Sequence, residues 1–185
     1  MEERKAELIR ILRDKSYEKK RVILKSGRES DFYVDGRQTT LHARGALLIG
    51  ELIADRLLAD DPPVDGVGGM TLGADPIATA VSVVTATRER PIHAFLVRKQ
   101  AKGHGMARQV EGLANLPRGS RVCMVEDTTT TGGSTLTAIE AAREAGLDVV
   151  RVITLVDRQE GAAENLATHG HTLEALVTRE ELVAG

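Results

Sequence analysis

Hydrophobic positions divide the chain into two kinds of segment. Near the N-terminus they recur at helical spacing: Leu8, Ile9, Ile11 and Leu12 form one face of an amphipathic helix, and residues 47–58 repeat that pattern more strongly. Between the two, residues 22–33 read as extended chain. From residue 64 the pattern changes. Short apolar runs rich in β-branched residues at 64–67, 92–97, 122–125, 149–156 and 173–177 have the character of strands buried on both faces. They alternate with helical stretches near 75–86, 135–145 and 160–167. That alternation predicts an α/β fold with a mainly parallel central sheet flanked by helices. Turn punctuation falls at Asp61, Pro62 and Pro63 and at Pro117, Arg118 and Gly119, and no linker is long enough to divide the chain. Residues 1–185 are therefore expected to form one domain, with about 1–40 as a cap on its core.

Composition narrows the setting. A chain of 185 residues can bury a full core without disulfide staples. Its one cysteine, Cys123, lies inside an apolar run and is expected to be a buried, inert thiol. The N-terminus is charged from Glu2 onward, and no apolar run approaches the roughly 20 residues that span a bilayer. A cytoplasmic protein with no membrane partner is the expectation. A net charge of -2 gives no global attraction to nucleic acid. His169 and His171 lack a thiol or third ligand nearby and are expected at the surface rather than on a metal.

Chemistry is densest at residues 121–134. The apolar run from Val122 to Val125 ends in Glu126 and Asp127, followed by Thr128, Thr129, Thr130, Thr131, Gly132, Gly133 and Ser134, and then by an alanine- and glutamate-rich helix. In an open parallel sheet, ligands bind beyond the carboxyl ends of strands, where the next helix offers free N–H groups and its positive dipole end. The threonine and glycine stretch thus reads as a phosphate cradle. It is not a nucleoside-triphosphate loop, because Gly133 stands where the phosphate-reaching lysine belongs, and no Gly-x-Gly-x-x-Gly spacing exists for a dinucleotide. Two carboxylates facing a bare phosphate would be repulsive. A sugar phosphate suits both halves: the acids accept hydrogen bonds from vicinal ribose hydroxyls while the loop wraps the phosphate. The competing account is a plain strand-to-helix turn capped by Thr and Ser.

A second candidate is residues 98–108, where Arg98, Lys99, Lys102 and Arg108 occur with no acid before Glu111, and Gly103 and Gly105 flank His104. The span 98–116 is long for a connection and reads as a flexible cationic lid over a polyanion. It has no aromatic residue to stack on bases, which weighs against a nucleic-acid patch.

Residues 122–134 resemble the phosphoribosyl pyrophosphate (PRPP) signature of type I phosphoribosyltransferases. The Arg-Lys, further Lys and His-Gly pattern carried by Arg98, Lys99, Lys102, His104 and Gly105 narrows the resemblance to the orotate phosphoribosyltransferases. Lys25-Ser26-Gly27 and the stretch from Gly68 to Ala78 look like two further segments of that family. The resemblance implies the type I phosphoribosyltransferase fold with an N-terminal hood. It also implies transfer of phosphoribosyl from PRPP to orotate, with Mg²⁺ as cofactor, in a homodimer whose active sites are shared between subunits. Its catalytic residues would be Lys99, Lys102, His104 and Asp127. PRPP would be held by Lys25, Thr71, Arg98, Lys99, Lys102, His104, Glu126, Asp127 and the stretch from Thr128 to Ser134. Orotate would be held by Phe32, Tyr33, Thr130 and Arg158, and the metal by Asp127, directly or through substrate or water. The chain departs from the pattern at Thr71-Leu72-Gly73, where some family members carry a lysine. A purine-type phosphoribosyltransferase and a non-catalytic PRPP-sensing regulator are the alternatives.

Overall fold

The computed structural model describes residues 1–19, 32–88, 90–100 and 109–184, with the backbone of 22–23 and 29–30. Helix α1 (Glu2–Lys15) buries Leu8 and Leu12, one turn apart, and places Glu2 and Glu3 in its first turn and Arg13 and Lys15 in its last, matching its dipole. Four two-residue strands follow: β1 (Tyr17–Glu18), β2 (Val22–Ile23), β3 (Glu29–Ser30) and β4 (Tyr33–Val34). β1 pairs antiparallel with β4, and β2 with β3. The stretch expected to be extended is thus a set of short ribbons, and Phe32 and Val34 join the same apolar core as α1.

After α2 (Arg37–Thr40), helix α3 (Ala43–Leu58) starts at His42, whose Nδ1 accepts from the Gly45 N–H at 3.2 Å. The remaining elements are β5 (Gly66–Met70), α4 (Ala74–Ala86), β6 (His93–Val97), β7 (Val110–Glu111), β8 (Arg121–Thr129), α5 (Gly133–Glu144), β9 (Asp148–Asp157), α6 (Ala162–Thr168), β10 (Leu173–Thr178) and α7 (Arg179–Val183). Among the described residues the main sheet runs β10-β9-β8-β5-β6-β7, parallel except for β7. Along β8, Cys123 and Val125 join the core that also holds α3 and α4, while Val122 and Met124 join the core that holds α5, as the two-residue period of a strand requires. Cys123 is fully buried, and burial pushes its thiol up, which makes it inert.

Strand order reverses between β5 and β8, so the loops leaving these two strands part and open a crevice. Close packing there uses glycine: a Cβ on Gly69 would collide with the Val125 carbonyl of the neighbouring strand.

Three features differ from expectation. β8 is nine residues long, not four, because its ladder with β9 continues past the apolar run through Thr128↔Val156 and Thr129↔Asp157. Within the segment expected to be a lid, Val110 and Glu111 pair with β6, and Val110 is buried; residues 101–108 lie outside the described residues. His171 is buried rather than at the surface, its Nε2 without a partner among the described residues, while His169 is exposed. No described helix is long and apolar enough to cross a membrane.

Candidate active site

The acid pair stands at the crevice, near the end of β8. Glu126 is buried, and its Oε2 has no hydrogen-bond partner among the described residues. Burial, reinforced by the adjacent Asp127 charge, pushes the Glu126 carboxyl up to about 8 against a stabilising hydrogen bond from Ser134. Burial likewise raises Asp127; the Thr128 N–H and the Arg37 charge oppose that rise, and the Asp35 carboxylate adds to it. Two glycines bracket the pair. A Cβ on Gly73 would meet the carboxylates of Asp127 and Glu126, and one on Gly36 would lie 3.1 Å from the Asp127 Cβ. Neither glycine has a positive φ, so close approach is what excludes a side chain.

A cavity of about 390 Å³ opens over these acids. Of the residues singled out from sequence, it is lined by Tyr33, Thr71, Lys99, Glu126, Asp127, Thr128, Thr130 and Ser134. It also takes in Leu72 and Gly73, from the stretch 68–78 likened to a family segment, and Asp35, Gly36 and Arg37, which carried no sequence-based expectation of chemistry. The Asp35-Gly36-Arg37 run is brought to β8 by the tertiary fold.

The loop between β8 and α5 is shaped for an anion. Gly132 adopts φ 78°, which glycine tolerates, and α5 begins at Gly133 with no side-chain cap, leaving first-turn N–H groups without helical partners. Thr131 is exposed, and its carbonyl accepts from Asn165 Nδ2 at 2.6 Å. Thr129 turns inward instead, its hydroxyl 2.8 Å from that of Thr154.

Other expected residues are dispersed. The Arg98 guanidinium donates to Glu111 at 2.7 Å and does not line the cavity. Phe32 is a core residue, 5.3 Å from the Tyr17 ring and flanked by the guanidinium groups of Arg158 and Arg179 at 5.6 and 5.2 Å. Strand alternation sends its neighbour Tyr33 to the cavity. Arg158 is buried and donates to the Phe32 carbonyl at 3.1 Å and to Glu160 at 3.0 Å. Lys25, Lys102 and His104 lie outside the described residues.

Carboxylates facing hydroxyls, and a helix N-terminus facing phosphate, are the elements a sugar phosphate needs. No protein-family model matches the chain. Orotate phosphoribosyltransferase of Sorangium cellulosum is 47% identical over 176 residues, 95% of this chain and 91% of that protein. Among solved structures, Mycobacterium tuberculosis orotate phosphoribosyltransferase in complex with Fe(III) dicitrate superposes with a TM-score of 0.82 at 45% identity, covering 97% of this chain and 99% of the other. The same enzyme in complex with PRPP gives 0.77 at 40% identity, covering 97% and 98%. Near-complete coverage at this identity, together with the acid pair, the threonine loop and the switch-point crevice, means that the chain belongs to the orotate phosphoribosyltransferase family.

Proposed function

We propose that the chain transfers the phosphoribosyl group of PRPP to orotate, giving orotidine 5-monophosphate and pyrophosphate in pyrimidine biosynthesis. The observation that carries this is the joining of the acid pair, Thr130, Ser134, Tyr33 and Lys99 around one cavity at the switch point. A ring nitrogen of orotate bonds to C1 of the ribose and gives up its proton, and the pyrophosphate oxygen leaves with the electrons of the broken C–O bond. Oxocarbenium character develops at that carbon, so the site must hold the sugar still and meet the leaving charge. Glu126 and Asp127 accept from the ribose hydroxyls. Thr130, Ser134 and the first turn of α5 receive the 5-phosphate. Lys99, with Lys102 and His104 from the lid segment, balances the departing pyrophosphate, and Arg98 would have to leave Glu111 to join them. Lys25 joins this set, and Tyr33 and Arg158 orient the base, Arg158 with the donors that Glu160 and the Phe32 carbonyl leave free.

The donor set fits Mg²⁺ carried in with the substrate. Among the described residues no three His, Cys, Asp or Glu converge as a metal cage, yet the two carboxylates offer hard oxygens, one of them unpartnered. Asp127 would hold it, with Glu126 acting through hydroxyls or water. When bound, the ion neutralises charge on the diphosphate.

A homodimer belongs to the same reading. A groove of about 950 Å³ beside the cavity is lined by exposed Leu41, Leu47, Leu72 and Val83, and it shares Asp35, Arg37 and Leu72 with the site. A second copy seated there would border the active site. Sedimentation velocity tests this part: a monomeric wild-type protein, or a Val83→Glu variant that dimerises as well as wild type, counts against it.

The enzymatic reading is tested by mixing the protein with Mg²⁺ and PRPP and offering orotate, uracil, adenine and hypoxanthine separately. Orotate alone should be consumed. Consumption of a purine, or PRPP binding without turnover of any base, would favour the purine-type enzyme or the regulator.

A further inference from the structure

The loop from β5 to α4 carries no cation in Thr71-Leu72-Gly73, the stretch where the family resemblance allows a lysine. A cation from a different element lines the cavity that this loop borders. Arg37, the first residue of α2, borders the same cavity as Thr71, Leu72 and Gly73. We propose that Arg37 binds the diphosphate of PRPP and takes over the work of the absent loop lysine. This inference rests on the phosphoribosyl-transfer reading and names one more substrate-binding residue within it.

Three observations carry it. First, the backbone before Arg37 is fixed against the catalytic strand: a Cβ on Gly36 would lie 2.8 Å from the Thr128 hydroxyl and 3.1 Å from the Asp127 carbonyl. Second, the guanidinium is preset. Its Nε donates to Asp35 Oδ1 at 2.8 Å and its Nη2 to Asp35 Oδ2 at 3.1 Å, while Gln38 Nε2 donates to the same carboxylate at 3.2 Å. Nη1 makes no hydrogen bond among the described residues, and the side chain is half exposed, so one edge of a fork suited to phosphate oxygens remains available.

Third, the charge balance of the cavity calls for it. Asp35, Glu126 and Asp127 are the acids lining the cavity, and the only cations lining it among the described residues are Arg37 and Lys99. A substrate with two phosphate-bearing arms cannot settle there without positive charge on the diphosphate side. The Arg37 charge also opposes the rise of the Asp127 carboxyl, which burial drives.

Steady-state kinetics with both substrates varied, on the full chain with Mg²⁺, test the assignment. Arg37→Gln should raise the PRPP KM at least ~10-fold, as loss of a charge-assisted contact implies, with the orotate KM within about twofold of wild type. Adding Leu72→Lys to Arg37→Gln, with sedimentation velocity to check that the dimer whose groove Leu72 lines is kept, should bring the PRPP KM back to within about threefold of wild type, because position 72 lines the same cavity. Arg37→Lys, which keeps the charge and loses the fork, takes the place of Arg37→Gln if that variant does not fold, with a rise of about threefold expected. An unchanged PRPP KM in an active variant, an equal rise in both KM values, or a double variant no better than the single one overturns the role of Arg37. Absence of orotate turnover by the wild type refutes the transfer reading and this inference with it.

Discussion

Arg158 donates through Nε to Glu160 Oε1 at 3.0 Å, and the two side chains are only 8% and 10% exposed. The same guanidinium ties the N-terminal segment to the sheet rim through the Phe32 carbonyl. A buried pair of this kind is costly to break from one side, because the remaining charge stays desolvated. Glu160→Ala is expected to lower unfolding free energy by ~3–5 kcal/mol, and Glu160→Gln by less, since an acceptor oxygen survives. Urea unfolding reads this directly; a loss below about 1 kcal/mol for the alanine variant would mean that the pair is solvated.

The acid pair makes stability depend on pH in an unusual direction. Glu126 is raised from an ordinary 4.5 to about 8 by burial and by Asp127, which is itself raised. A carboxyl that holds its proton more tightly when folded contributes stability that is full below its unfolded value and is lost as pH climbs through the folded value. Ligand-free protein in a chelator should therefore show a Tm that declines across the window from 4.5 to about 8, and Glu126→Gln should flatten that decline. Parallel wild-type and variant curves would place the titration elsewhere.

Gly69 and Gly73 lie four residues apart and should fail differently when substituted. At Gly69 a methyl group meets the Val125 carbonyl inside the sheet, where backbone cannot yield, and the cost should be ~1–3 kcal/mol of stability. At Gly73 it meets the Asp127 and Glu126 carboxylates, the latter at 2.8 Å, so the acids must swing away. Gly73→Ala should keep most of its stability while losing roughly 10²-fold in kcat/KM, the scale of a misplaced catalytic contact. Thermal melts and initial rates on both variants separate the two; equal activity loss per degree of Tm in each would erase the distinction.

How much of this was legible in the chain depends on whether the signal is local. The strands around Val67, Val125 and Ile153 announce themselves because burial on both faces demands continuous apolar runs. The continuation of β8 through Thr129 does not, because its last residues are acids and threonines whose ladder partners belong to β9. The acid pair and the threonine loop were readable as chemistry, since carboxylates beside a glycine-rich helix start have few structural uses. Arg37 was not: nothing in Asp35-Gly36-Arg37 says that this turn lands on Asp127. Phe32 and Tyr33 show the middle case: neighbours in extended chain point to opposite faces, and only the fold says which one faces the cavity.

Lys99 and Arg158 sit at opposite ends of the expected chemistry and should separate kinetically. Lys99 lines the cavity, is exposed and makes none of the described core contacts, so its charge is available to the leaving pyrophosphate at no structural cost. Lys99→Ala, and likewise Lys102→Ala three residues on, should lower turnover ~10²-fold or more while leaving the unfolding midpoint in place, because each removes charge stabilisation felt mainly in the transition state. Arg158→Ala should instead raise the orotate KM more than the PRPP KM, since a guanidinium is suited to the carboxylate that distinguishes orotate from uracil. Its stability must be measured alongside, because it also leaves Glu160 unpaired. Wild-type turnover in the lysine variants, or equal shifts of both KM values in a folded Arg158→Ala, would remove these residues from their assigned roles.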